Sequence, residues 1–200
     1  MRKGILYVVS GPSGAGKGTV MQHFLPKRPD MFYSISATTR LPRPGEEHGV
    51  NYYFMEKEAF QKLKAENGFL ESAEFCGNFY GTPRDAVMGK LDNGIDVLLE
   101  IEVQGAMQVM ESYPEGVFIF IVPPSMDELR SRLVGRQTEE ESVIEARLAR
   151  AKEELRLADR YTYIVVNDAA ERAAENIEAI AQAEESRSER KYEFVKENLL

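Results

Sequence analysis

Residues 11 to 19 read GPSGAGKGT, directly after the apolar run ILYVVS and directly before a helical pattern, TVMQHFL. A strand that runs into a glycine-rich turn and then a helix belongs to parallel α/β sheets. Gly11, Gly16 and Lys17 satisfy the spacing G-x-x-x-x-G-K, with Pro12, Ser13, Gly14 and Ala15 between them. Glycines let the backbone turn and bring its N–H groups close to phosphate oxygens. The helix N-terminus adds partial positive charge. Lys17 adds a mobile full charge for the β and γ phosphates of a nucleotide. The loop therefore predicts ATP binding through residues 11–19. One position departs from the strict pattern: Gly18 follows the lysine where a hydroxyl residue is usual, and Thr19 comes next. One residue along a helix turns a side chain by about 100°. Thr19 is left to bond phosphate or to orient a water on Mg²⁺, and no side chain is assigned as a direct metal ligand.

The rest of the chain repeats the strand–helix alternation. Apolar runs at ILYVVS (5–10), YSISAT (33–38), DVLLEIE (96–102), VFIFIV (117–122) and YTYIVVN (161–167) predict five strands. Several are continuous rather than alternating, which suits strands buried on both faces of a parallel sheet. Helical patterns lie between them: RDAVMGKLDNG, SMDELRSRLVGR, ESVIEARLARAKEELRLADR and AAERAAENIEAIAQAEESR. Ser125 with Glu128 three residues on predicts a capping box. Residues 39–82 break the alternation with turn signals and aromatics and read as an inserted subdomain. Residues 132–150 concentrate Arg and Glu with few apolar residues and read as an exposed, mobile segment. The last fifteen residues read as a solvated helical end. The expected fold class is α/β: a core of about 1–36, 83–125 and 151–200, an insert of about 37–82 and a lid of about 126–150.

The 200 residues suffice for one domain with inserted subdomains and its own core. The net charge of −8 argues against broad non-specific nucleic-acid binding. No apolar run approaches the ~18 residues of a membrane-spanning helix. The N-terminal apolar stretch is too short for a signal peptide. The single cysteine, Cys76, excludes an intrachain disulfide, reads as a small buried apolar residue, and fits a reducing compartment. These features predict a cytoplasmic protein. His23 and His48 lack partners at metal-ligand spacing and read as surface residues.

Four further stretches carry a resemblance. SISATTRLPRPGEEHGVNYYF (34–54), FLESAEFCGNFYGTPRDAV (69–87), LLEIEVQGA (98–106) and IVPPSMDELRSRL (121–133) are similar to segments of guanylate kinases. With GPSGAGKGT they occur in that family's order from about residue 5 to 168. The resemblance implies a GMP site built from Ser36, Arg40, Arg43, Tyr52, Glu71, Tyr80, Thr82 and Glu102. The chemistry is consistent with it. Two guanidinium forks three residues apart can hold one phosphate dianion. Tyr52 and Tyr80 offer hydroxyls and aromatic faces. A carboxylate at Glu71 can accept from both N1–H and the exocyclic amine of guanine, while hydroxyls at Ser36 and Thr82 can donate to O6. Adenine would leave that carboxylate facing an acceptor.

The same resemblance makes Arg132, Arg136 and Arg147 lid arginines. It also places Asn167 and Asp168 beside the adenine of ATP, mostly through backbone groups. Glu100 and Glu102, two apart at the end of an apolar run, read as sharing one face of a strand, near enough for the nucleotide or a hydrated Mg²⁺. Family members commonly carry Asp at the position of Glu102 and Gly at that of Gln137.

The activity implied is Mg²⁺-dependent transfer of the ATP γ-phosphoryl group to GMP, giving ADP and GDP, in GMP and dGMP recycling and GTP supply. Lys17, Arg43, Arg136 and Arg147 would stabilise the transition state, with insert and lid closing over the substrates. The partners expected are ATP and GMP or dGMP, with no nucleic acid and no membrane; a homo-oligomer is left open. Two rival readings remain: a non-catalytic module that binds phosphorylated protein segments, and a related kinase acting on AMP or a ribose phosphate.

Overall fold

The first apolar run forms strand β1 (Leu6–Ser10), and all five of its residues are buried, as a continuous run requires. In this computed structural model, which describes residues 2–75, 77–134 and 141–200, the elements follow the alternation. After β1 come α1 (Lys17–Phe24), β2 (Phe32–Tyr33), β3 (Ala37–Thr38), β4 (Tyr53–Phe54), α2 (Lys57–Ala65), β5 (Phe69–Phe75) and β6 (Asn78–Pro83). Then come α3 (Arg84–Asp92), β7 (Val97–Glu100), α4 (Val103–Ser112), β8 (Val117–Val122), α5 (Met126–Val134), α6 (Glu141–Leu155), β9 (Tyr163–Val166), α7 (Ala170–Glu185) and α8 (Ser188–Leu199). The strands form a five-stranded sheet in the order β2-β7-β1-β8-β9 and a four-stranded sheet in the order β4-β3-β6-β5.

The chain divides into two compact units. The first comprises Met1–Tyr7, Asp30–Leu99 and Gln104–Gly116. Within it β2 runs parallel to β7, with Phe32 opposite Val97. In the smaller sheet β6 pairs antiparallel with both β3 and β5. Its core is aromatic: Phe60 of α2 stacks on Phe69 with ring centroids 4.3 Å apart and on Phe79 at 5.5 Å. The second unit comprises Val8–Pro29, Glu100–Val103 and Val117–Leu200. Here β8 and β9 are parallel, from Ile119 opposite Tyr163 to Val122 opposite Val166. The alanine-rich α7 buries Ala173, Ala174, Ile177 and Ala181, and it packs against α1. Arg28 pins this pair by donating to Glu178 (2.7 Å) and to Glu185.

Three readings of the sequence change. The run at 33–38 is not one strand: the chain leaves β2 after Tyr33 and enters the other sheet at Ala37. The run at 96–102 ends as a strand at Glu100, and α4 begins at Val103. Glu102 is thus a loop residue, so strand alternation does not place it on one face with Glu100. The described part of 132–150 is helical and anchored rather than loose. Three of its apolar residues, Leu133, Ile144 and Leu148, are buried together with Leu129 and Ala151, while Val134 and Val143 stay exposed. Ser125 caps α5 through its hydroxyl, which accepts from Glu128 N–H (3.0 Å). The Glu128 carboxylate pairs with Arg132 (2.8 Å), where a capping box would return it to Ser125. Cys76 lies outside the described residues.

Candidate active site

In the second unit the chain leaves β1 and turns through residues 11–16 into α1. Gly14 and Gly16 adopt φ of 88° and 87°, a region costly for residues with a Cβ. A Cβ at Gly16 would stand 2.5 Å from Asn167 Nδ2. That amide donates to Ala15 O (2.7 Å), and Arg132 Nη1 reaches the same carbonyl (3.4 Å). With its carbonyl engaged there, Ala15 does not present that oxygen to an anion. Lys17 Nζ donates to Gly11 O (2.7 Å) and stands 3.5 Å from Glu102 Oε1, with its side chain only 11% exposed. The ammonium is held across the mouth of its own loop.

Two of the three arginines assigned to the lid converge on this loop. Arg132 also donates to Asn167 O (2.9 Å), and Arg147 Nη2 donates to Ser13 Oγ (2.7 Å). Arg136, with Gln137, lies outside the described residues. Asn167 is buried and serves the loop through its side chain, not only through its backbone. Asp168 accepts from Ala169 N–H and Arg172 (2.7 Å each) at the start of α7. Thr19 is exposed. A Cβ at Gly18 would lie 3.7 Å from Glu100 Oε1, so that carboxylate borders the loop where a hydroxyl residue is usual. Among the described residues no three or more His, Cys, Asp or Glu are grouped to hold a metal, and no helix is long and apolar enough to cross a membrane.

In the first unit the other named residues form two clusters. Arg40 makes a two-pronged ion pair with Glu46 (2.9 Å on each prong). Its guanidinium lies 5.4 Å from the Tyr52 ring centroid and 5.9 Å from that of Phe54. Glu46 also accepts from the Arg43 N–H (2.7 Å). The Arg40 guanidinium, then the Arg43 amide, hold the Glu46 carboxyl below the usual carboxylate range. Tyr52 and Tyr80 meet edge to face at 6.3 Å. Arg43 is exposed. Glu46 escaped the sequence reading because it stands six residues from Arg40 in a loop; only its opposite charge hinted at it.

The second cluster is Glu71 and Thr82. Glu71 is 7% exposed and Thr82 1% exposed. Thr82 Oγ1 donates to Glu71 Oε1 (2.7 Å). Burial pushes the Glu71 carboxyl up, only partly offset by the Thr82 hydroxyl and N–H. A buried carboxylate whose hydrogen-bond donor is a neutral hydroxyl rather than a cation is costly in isolation. It suits a ligand edge that offers hydrogen-bond donors. Thr82 spends its proton on that carboxylate, so here it orients Glu71. Ser36 is half-buried and accepts from Tyr53 N–H through its carbonyl (2.9 Å). Glu102 belongs to the other unit, beside Lys17.

The family model described as "Guanylate kinase" matches residues 3–184. A protein named guanylate kinase from Bacillus anthracis is 54% identical over 197 residues, spanning 98% of this chain and 96% of that one. Another, from Desulfitobacterium hafniense, is 53% identical over 188 residues and 94% of each chain. Among solved structures, a guanylate kinase from Anaplasma phagocytophilum superposes with a TM-score of 0.75 at 34% identity, covering 99% of this chain and 96% of its own.

Proposed function

The chain belongs to the guanylate kinase family, and on that premise we propose a mechanism in which the residues above transfer the γ-phosphoryl group of ATP to GMP. The observation that carries the choice of acceptor is the buried Glu71 carboxylate, fixed by Thr82 and ready to accept from both N1–H and the 2-amino group of guanine. Arg40 and Arg43 hold the GMP phosphate with the hydroxyls of Tyr52 and Tyr80. Because Glu46 already occupies the Arg40 fork, the incoming phosphate competes with or replaces that carboxylate. Ser36 supplies the donor to O6.

The amides of residues 11–19 and Lys17 bind the ATP phosphates, and Lys17 exchanges Gly11 O and Glu102 for phosphoryl oxygens. Arg147 and Arg132 stand at the loop and neutralise charge on the transferring group. Arg136 joins them by family resemblance. The nucleophile is an oxygen of the GMP phosphate, largely deprotonated at neutral pH, so no strong general base is required. Catalysis is positioning plus charge neutralisation. Segments 37–82 and 126–150 act as GMP-binding insert and lid, and Asn167 with Asp168 borders the adenine.

Mg²⁺ fits this donor set: the ion keeps most of its waters and takes phosphate oxygens, needing only one or two protein carboxylates or hydroxyls nearby. Glu100 and Thr19 are the groups that would hold its waters. Bound there, it would supply positive charge that offsets the negative charge of the phosphates during transfer. The working compartment is the cytoplasm, and the role is purine nucleotide supply, with GMP and dGMP as acceptors.

The test uses ATP labelled in its γ-phosphoryl group, incubated with GMP and Mg²⁺. The reading predicts label in the β-phosphoryl group of GDP. Label in inorganic phosphate alone, or none transferred, contradicts it.

A further inference from the structure

Glu71 sits where the β5–β6 ladder slips. Ser72 pairs with Gly81 and Glu74 with Phe79, yet Phe69 pairs with Pro83, so the register shifts by one residue between Phe69 and Ser72. Such a bulge re-aims a side chain and frees backbone groups from the ladder. Here α4 takes them up. Ser72 N–H donates to Gln108 Oε1 (3.0 Å), and Gln108 Nε2 donates back to Ser72 O (3.1 Å). Ser112 Oγ donates to Leu70 O (3.4 Å). The backbone on both sides of Glu71 is therefore held by side chains from one helix.

The same face of α4 makes room for the carboxylate. Gly105, Gln108 and Ser112 stand at i, i+3 and i+7, one stripe of the helix. A Cβ on Gly105 would lie 2.7 Å from Glu71 Oε2, 3.1 Å from its Cδ and 3.2 Å from its Cγ. Any side chain at 105 displaces the carboxylate. Glycine is a poor helix former, and the close approach of Glu71 is the reason the structure offers for it. We propose that Gly105 and Gln108 are positioning residues for guanine recognition: Gly105 opens the slot that the Glu71 carboxylate occupies, and Gln108 fixes the bulged backbone that aims it. Neither residue is placed against the nucleotide. Both act through Glu71, so the inference rests on Glu71 being the guanine carboxylate.

The test compares Gly105→Ala, Gln108→Met and Glu71→Gln with the native protein. Inosine 5′-monophosphate keeps N1–H but lacks the 2-amino group, so the GMP-to-IMP ratio of kcat/KM reads the aim of the carboxylate. Gly105→Ala should lower kcat/KM for GMP at least tenfold and bring the ratio towards one. Gln108→Met should do the same more weakly, roughly three- to tenfold. In both, KM for ATP should stay within twofold. If Glu71→Gln leaves the ratio native, the Glu71 reading itself fails. If Glu71→Gln collapses the ratio while the other two keep it native, the positioning roles are overturned. Loss of ATP and GMP affinity together in Gln108→Met would equally overturn them, because that is the signature of general structural damage. Gln108→Met keeps length and bulk, so it decides the matter should Gly105→Ala fail to fold.

Discussion

Glu71→Gln separates a recognition role from a structural one, because the two push rate and stability in opposite directions. Glu71 is 7% exposed and accepts the Thr82 hydroxyl at 2.7 Å. A glutamine can still accept that bond, so the local scaffold survives. Towards guanine it puts an NH₂ where a carboxylate oxygen stood. One charge-assisted bond of about 1.5–3 kcal/mol is lost, and one guanine donor is left unpaired at a further cost of about 1–3 kcal/mol. A total of about 3 kcal/mol lowers kcat/KM for GMP roughly 10²-fold, since about 1.4 kcal/mol is tenfold. The unliganded protein should respond the other way. Burial raises the Glu71 carboxyl above its unfolded value. The folded state therefore binds the proton more tightly, and this group costs stability as pH rises from the unfolded value through the folded one. Above that range this carboxyl is a net penalty that glutamine removes. The assays are steady-state kinetics by coupled ADP release and thermal unfolding without ligand. The expected pair is a large loss of GMP efficiency with an unchanged or raised Tm. GMP efficiency within threefold of native, or a loss accompanied by a Tm several degrees lower, would refute the reasoning.

Lys17→Ala should lower kcat by about 10²–10³-fold or more, as removal of one preorganised charge from a phosphoryl site does, and coupled ADP release measures it. Gly16→Ala forces a Cβ into a φ of 87° and to 2.5 Å from Asn167 Nδ2; it should cost about 1–3 kcal/mol, seen as a lower urea midpoint together with weaker ATP binding. Glu184 is buried and accepts from Tyr163 Oη (2.7 Å) while pairing with Arg190 and Arg187. Burial pushes its carboxyl up, but the Tyr163 hydroxyl and these arginines outweigh that and leave it below the usual value. Its stabilisation is thus present above the unfolded carboxyl value of about 4.3 and is lost as pH falls through the lower folded value. Glu184→Gln should lose about 2 kcal/mol near pH 7, and the gap to native should narrow below about pH 4 in urea titrations.

What the sequence disclosed was what is local. The loop at 11–19 is contiguous, and its glycines are set by backbone geometry that two or three neighbours determine. The parallel sheet announced itself through continuous apolar runs such as VFIFIV, five of whose six residues are buried. The reading failed where long-range partners decide. Nothing in YSISAT marks the point at which the chain changes sheets, because Ser34 N–H still bonds Leu98 O while Ser36 O already serves Tyr53. Glu102 read as a strand residue because it closes the apolar run DVLLEIE, and Ile101 N–H does bond Val9 O one step past the strand end. Leu133, Ile144 and Leu148 were lost among charges, although they pack with Leu129 and Ala151 into one buried cluster of α5 and α6. Glu71 was legible as a candidate. The slot at Gly105 and the grip of Gln108 were not, because a glycine and a glutamine in a helix carry no local sign of a partner more than thirty residues away in sequence.

The measurement that tests the central claim most directly is a coupled ADP-release assay with ATP, Mg²⁺ and each of GMP, AMP, CMP and UMP as acceptor. Rapid turnover with GMP and little with the other three is the predicted result. Equal or better turnover with AMP would contradict the Glu71 reading of guanine. Tight GMP binding with no turnover on any acceptor would contradict the kinase chemistry assigned to the Lys17 loop and point to a binding module instead.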